Sequence, residues 1–257
     1  MSIAKHKKKE KNPKFQEIYG FHSVSAALQN IKRKHFGLFI IEKYKDLFKK
    51  HSIRIGKIKI LTNKEMSKLF GNESVTQGIV LKSSPLPTIN FEKICIDSQS
   101  KETSIIVVLD QVTDPNNIGS IMRSCALFQC KSVILPKDHA PDITPTLSKA
   151  ASGAVEIVNY VKVVNLKRSL QQLKKLGYWI YGLDNNSNQN NTQIDFPKKC
   201  VLVVGSEGKG IRAINKKECD NLISLPSQPN KSYAIDSLNV SSACAIALYE
   251  HFKKYNL

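Results

Sequence analysis

Three short segments of this chain gather polar side chains that could orient a substrate, and none of them contains a strong nucleophile. The first is Asp110-Gln-Val-Thr-Asp114-Pro115-Asn116-Asn117-Ile118-Gly119, which runs into Met122-Arg123. Asp-Pro-Asn-Asn is turn chemistry, and an Asn such as Asn117 can cap the following helix by accepting its free amide protons. Arg123 falls in the second turn of that helix, from which a long side chain can reach back over the loop. A guanidinium among apolar neighbours needs a partner, and an anion suits it best. The second segment is Val204-Gly205-Ser206-Glu207-Gly208-Lys209-Gly210, whose glycines allow close backbone approach. Its spacing fits neither the P-loop nor the dinucleotide fingerprint, so a nucleotide-phosphate cradle is not supported. Local sequence leaves two readings of Glu207 open: a solvated residue on a flexible turn, or a carboxylate set to bind a hydroxyl, amine or guanidinium. The third segment, Ser237-Leu238-Asn239, stands directly before a helix, where Ser and Asn are ordinary capping residues. Together the three offer an Arg, a carboxylate, two Asn and a Ser, with no metal cluster and no Ser–His–Asp set. Such groups suit a transfer reaction whose reactivity is carried by a cofactor.

The elements that must position these residues can be read from periodicity. From Ser104 onward apolar strands alternate with helical patterns. Residues 105–109 (IIVVL) and 200–204 (CVLVV) are continuous apolar runs, as in strands buried on both faces. Val133–Leu135, Tyr178–Gly182 and Leu222–Leu225 read as further strands. Leu166, Leu170, Leu173 and Leu176 mark a helical face closed by Gly177, and Val240, Ala243, Cys244, Ala247 and Leu248 mark the last helix. The expected fold of this region is α/β with a mostly parallel sheet, and loops beyond the carboxyl ends of its strands are where ligands bind. Residues 17–82 form a smaller α/β unit, with helical spacing at Val24, Ala27 and Leu28, strands at 37–41 and 77–81, and a helix around 63–70. A basic tail (1–16) precedes it and a linker (83–103) follows; the larger domain is 104–257.

Composition limits the function classes. The chain has 257 residues, is 41% hydrophobic and carries a formal net charge of +18, which fits a folded protein with a polyanionic partner. No apolar run approaches the roughly 20 residues of a membrane span, and the Lys-rich beginning is not a secretory signal, so a cytoplasmic protein is expected. The six cysteines show no metal-ligand spacing and read as reduced thiols.

DPNNIGSIMRSCALF (114–128), VLVVGSEGKGI (201–211), ISLP (223–226) and SLNVSSACAIALYE (237–250) together resemble the SpoU (TrmH) family of RNA 2′-O-ribose methyltransferases in the SPOUT superfamily, in its RlmB-like branch. SKAASGAVEIV (148–158) is similar to the small-residue segment before that family's fourth strand. IYGFHSVSAAL (18–28) and VTQGIVLK (75–82) resemble its ribosomal-protein-like RNA substrate-binding domain, with Thr76 where the family usually has His. The resemblance implies a trefoil-knotted methyltransferase domain, a homodimer, and S-adenosylmethionine held by backbone around Gly205, Leu225 and Leu238. Arg123, Asn117, Glu207, Ser237 and Asn239 fall on the family's functional positions, with no metal required. It implies 2′-O-methylation of a ribose in structured RNA, a guanosine of 23S rRNA above all. The other readings are a tRNA ribose methyltransferase and a non-catalytic RNA-binding or ribosome-assembly protein on the same fold. The stretch 227–236, with Lys231 and Tyr233, is longer than in typical members.

Overall fold

A computed structural model of the chain describes residues 15–48, 57–71, 76–138, 140–184, 195–225 and 237–257. The Lys-rich tail and the 227–236 stretch lie outside the described residues. Contacts divide the chain between Pro87 and Thr88 into two units.

The first unit has a four-stranded sheet made of β1 (Gln16–Tyr19), β2 (His35–Ile40), β3 (Ile58–Ile60) and β4 (Ile79–Ser83), in the order β1-β4-β2-β3. β4 runs antiparallel to both of its neighbours, and β2 runs parallel to β3. Alternation sends Ile18, Leu38, Ile40, Ile79 and Leu81 to one face, where α1 (Phe21–Gln29) and α2 (Lys45–Phe48) contribute Val24, Leu28 and Phe48. Tyr19, Phe39 and Val80 lie on the other face with Met66 and Phe70 of α3 (Asn63–Phe70). Thr62 and Glu65 form a reciprocal capping box that starts α3. Thr76 is buried, and its Oγ1 accepts the amide of Gly78 at 3.3 Å.

The second unit has a six-stranded, wholly parallel sheet. In chain order its strands are β5 (Ser104–Asp110), β6 (Ser132–Pro136), β7 (Asn159–Val163), β8 (Trp179–Leu183), β9 (Lys199–Gly205) and β10 (Asn221–Ile223). Across the sheet they run β10-β8-β9-β5-β6-β7. The continuous apolar runs at β5 and β9 lie in the middle, each buried on both faces. From β5 the chain steps outward to β7 and then returns on the other side, so the β5–β9 seam is the point where the strand order reverses. Connections leave that seam in opposite directions, and open α/β sheets bind ligands at such a reversal.

The 83–103 stretch, expected to be a linker, holds helix α4 (Phe91–Gln99), which Asn90 caps. Its Phe91 and Ile94 join the core of the second unit beside Ile106 and Val201. Among the described residues four more α-helices follow: α5 (Pro115–Leu127), α6 (Pro145–Ala151), α7 (Leu166–Lys175) and α8 (Ala213–Lys216), before α9 (Val240–Asn256). α5 crosses α6 at Gly119, where an added Cβ would lie 2.5 Å from the Ala150 Cβ and 2.7 Å from the Leu147 carbonyl oxygen. The small residues of 148–158 thus supply the surface on which α5 rests. All six cysteines are free.

Candidate active site

β5 and β9 pair in register up to Asp110 opposite Gly205, so the first two polar segments leave adjacent strand ends. After Asp110 the backbone turns through Gln111, at φ 62°, and enters α5. Asp114 caps that helix, accepting the amides of Asn116 at 3.1 Å and Asn117 at 3.3 Å, with Pro115 in the first turn. Capping therefore falls to Asp114, and the Asn117 side chain is released for another task. Because the helix begins at Pro115, Arg123 stands in its third turn rather than its second.

After Gly205 the chain closes a tight hairpin. Ser206 and Gly210 bond each other through both backbone groups, at 2.9 and 3.2 Å, and Gly208 and Gly210 take positive φ. Gly205 is required by this closure, because a Cβ there would come within 2.1 Å of the Gly210 carbonyl carbon. The segment is an ordered turn, and it holds Glu207 out toward the neighbouring loops.

Three of the expected residues meet there. Asn239 donates from Nδ2 to Glu207 Oε1 at 2.7 Å and to Asn117 Oδ1 at 3.2 Å, and Asn117 Nδ2 donates to the same Glu207 oxygen at 3.2 Å. Asn239 also caps α9: its Oδ1 accepts from the Ser241 amide at 2.9 Å and the Ser241 hydroxyl at 2.6 Å. The cap fixes which end of the amide is oxygen, and so the nitrogen must face the carboxylate. Asn239 thus caps α9 with its oxygen and joins Glu207 and Asn117 with its nitrogen. Arg123 is exposed and makes no hydrogen bond or ion pair among the described residues. Six residues of helix separate it from Asn117, an advance of about 9 Å, which accounts for its standing apart from the Asn117–Glu207–Asn239 network. Ser237 and Leu238 are exposed, Leu225 is half-buried just past β10, and Gly205 is buried at the end of β9.

Sequence reasoning missed what anchors this arrangement. Asp110 is fully buried, and its carboxylate accepts three hydrogen bonds. The Arg212 amide (2.9 Å) and Asn215 Nδ2 (2.9 Å) reach Oδ2, and Arg212 Nε (2.7 Å) reaches Oδ1. The end of β5 is thereby tied to the loop that carries Glu207. A charged residue closing an otherwise apolar strand was the available signal.

Among the described residues no group of His, Cys, Asp and Glu could hold a metal ion, and no helix is long and apolar enough to cross a membrane. The donor set does fit a methyl-donating cofactor. It orients through amides and a carboxylate and holds no activated nucleophile, and Leu225 and Leu238 give apolar surface on the flanking loops.

Comparison with known proteins decides the family. The model of the SpoU rRNA methylase family matches residues 104–249. The chain belongs to the SpoU family. A second model, for RNA 2′-O ribose methyltransferase substrate binding, matches residues 18–89. The 23S rRNA (guanosine-2′-O-)-methyltransferase RlmB of Coxiella burnetii is 33% identical over 92% of this chain and 95% of its own length. Its Pseudomonas putida counterpart is 31% identical over 91% and 95%. Among solved structures, the SpoU methyltransferase AviRb from Streptomyces viridochromogenes, in complex with AdoMet, superposes with a TM-score of 0.74 at 19% identity, over 94% of this chain and 90% of that one. An AdoMet-bound rRNA methyltransferase from Sinorhizobium meliloti does so at 0.76 and 20%, over 95% and 89%. These likenesses show the SpoU fold, with its parallel sheet and a preceding substrate-binding domain.

Proposed function

We propose that this SpoU-family chain transfers a methyl group from S-adenosylmethionine to the 2′-oxygen of a guanosine ribose in 23S rRNA. The observation that carries the reading is the Asn117–Glu207–Asn239 network. Residues from three distant segments converge at the strand-order reversal of a chain that resembles RlmB enzymes over nearly its full length.

S-adenosylmethionine supplies an electrophilic methyl group on a sulfonium sulfur, and Gly205, Leu225 and Leu238 are the residues that would hold it. The ribose 2′-hydroxyl would take this methyl group, its proton passing to solvent and the sulfur leaving as a neutral thioether. Because the hydroxyl is a weak acid, alignment provides much of the rate. Glu207, its charge oriented by two amides, hydrogen-bonds the ribose hydroxyls, and Ser237 borders the same pocket. Arg123 binds the ribose–phosphate and stabilises negative charge as it develops on the 2′-oxygen; a guanidinium stays protonated, so its electrostatic role comes first. The same resemblance supports a trefoil knot, a homodimer, and a cytoplasmic site of action on rRNA.

The test incubates the full chain with S-adenosylmethionine and unmodified 23S rRNA or tRNA, and maps ribose methylation by mass spectrometry. One methylated guanosine in the rRNA is expected, with Asn239→Ala and Glu207→Ala lowering kcat about 10²-fold. Methylation of tRNA alone would replace the substrate, and methylation of neither would overturn the reading. Full activity in Arg123→Ala would remove that residue from the mechanism.

A further inference from the structure

We infer that Arg212 forms an anion-binding site beside the methyl-transfer centre, preorganised by the buried carboxylate of Asp110. The inference rests on the methyltransferase reading for the identity of its ligand, and on geometry for the site itself.

Burying a carboxylate is costly unless it is paired and its lone pairs are used. Asp110 meets that need with Asn215 and one edge of Arg212. The pairing engages Nε alone, one of the donors in the guanidinium fork. Its two terminal nitrogens bond nothing among the described residues, and the Arg212 side chain is 41% exposed whereas its partner is 0% exposed. A guanidinium gripped at Nε, whose own backbone amide is held by the same carboxylate, presents that remaining pair in a set direction. This is the geometry that binds two anionic oxygens side by side. Arg212 follows the Ser206–Gly210 hairpin that carries Glu207, and Asp110 lies opposite Gly205 in the ladder, so the fork belongs to the same loop cluster as the network. Pairing with Asp110 accounts for the charge of Arg212 and for its Nε. It leaves the two terminal nitrogens on the exposed edge of the fork unused, and that edge is what points to a ligand.

Two groups brought to this site carry such oxygens: an RNA phosphodiester next to the target ribose, and the carboxylate of S-adenosylmethionine. The experiment compares the full-length protein with Arg212→Gln, which keeps an N–H donor for Asp110 but loses the cation. Affinity for S-adenosylmethionine is measured by calorimetry. Affinity for a 23S rRNA fragment is measured by filter binding between about 50 and 200 mM salt. With an unchanged melting temperature, Arg212→Gln is expected to weaken one ligand about tenfold. If the ligand is RNA, the slope of log affinity against log salt also falls by about one; if it is the cofactor, that slope is unchanged. Should the variant melt early, phenylglyoxal modification of Arg212 in the wild-type protein, read by mass spectrometry, is expected to be blocked by one ligand. Wild-type affinities and slope in a stable variant, or no protection by either ligand, would leave Arg212 as a brace and overturn the site. These are binding readouts, so a failure of methyl transfer would count against the proposed function and leave this inference separately decided.

Discussion

Asn239 has a small side chain with two obligations. Its oxygen starts α9 and its nitrogen holds Glu207, so site and helix share one amide. His251 is the contrasting case, a buried ring whose Nε2 has no hydrogen-bond partner among the described residues. Burial pushes its pKa below the ordinary value near 6.5; backbone hydrogen bonds at Lys198 and Pro197 oppose the shift, and Lys254 adds to it. The folded protein therefore binds this proton less readily than the unfolded chain does. Stability from the neutral ring is present above about pH 6.5 and is lost as pH falls through the histidine range. Melting temperature is expected to drop between about pH 7.5 and 5.5, and His251→Phe, among the rings of Phe196 and Tyr255, to flatten that slope. An identical slope in the variant would assign the acid sensitivity to other groups.

At the scale of elements, the crossing of α5 on α6 decides where Asn117 and Arg123 stand. Gly119→Ala would drive a methyl group into the Ala150 side chain and the Leu147 carbonyl. Overpacking of this kind costs about 1–3 kcal/mol, and it should show as a lower denaturant midpoint together with a fall in kcat as α5 shifts. A midpoint equal to wild type would mean that the two helices have room to slide. This crossing also shows why some elements were legible in the sequence and others were not. β5, β9 and α9 announce themselves, because a strand buried on both faces must be apolar throughout and a packed helix repeats its apolar positions. α6 carries no such signature: its small residues answer to Gly119 on another helix, so the reason for them lies outside the segment. α4 passed for a linker because only Phe91, Ile94 and Ser98 of its nine residues are buried, and its Ile96 is exposed, so no apolar face repeats along it. β3 is three residues at a sheet edge, too short and too exposed to show alternation. The site residues were legible as types. That Asp114 would take the cap and free Asn117, and that Asp110 would anchor the Glu207 loop, depended on contacts between segments.

On the scale of the whole molecule, strand order brings the polar segments together, and no local pattern encodes strand order. α5 and α9, which carry Asn117, Arg123 and the Asn239 cap, also leave Leu127 66%, Ile246 42% and Tyr249 43% exposed. The homodimer proposed for this chain would cover such a surface. Light scattering at micromolar concentration is expected to give twice the chain mass, and Ile246→Glu to give the single-chain mass with reduced methyl transfer. A wild-type protein of single-chain mass would rule the dimer out. The β5–β9 ladder joins Ser104–Asp110 to Lys199–Gly205, strands separated by most of the domain's length. Pairing over such a span is slow to form, since the loop entropy is lost before the contacts repay it. Until it forms, two of the most apolar strands keep open edges, the exposure that drives aggregation. The ladder that brings Asp110 level with Gly205 is thus a late event in assembly. Refolding chains should regain methyl transfer only when this seam closes, and cooler, slower synthesis should raise the share that reaches it.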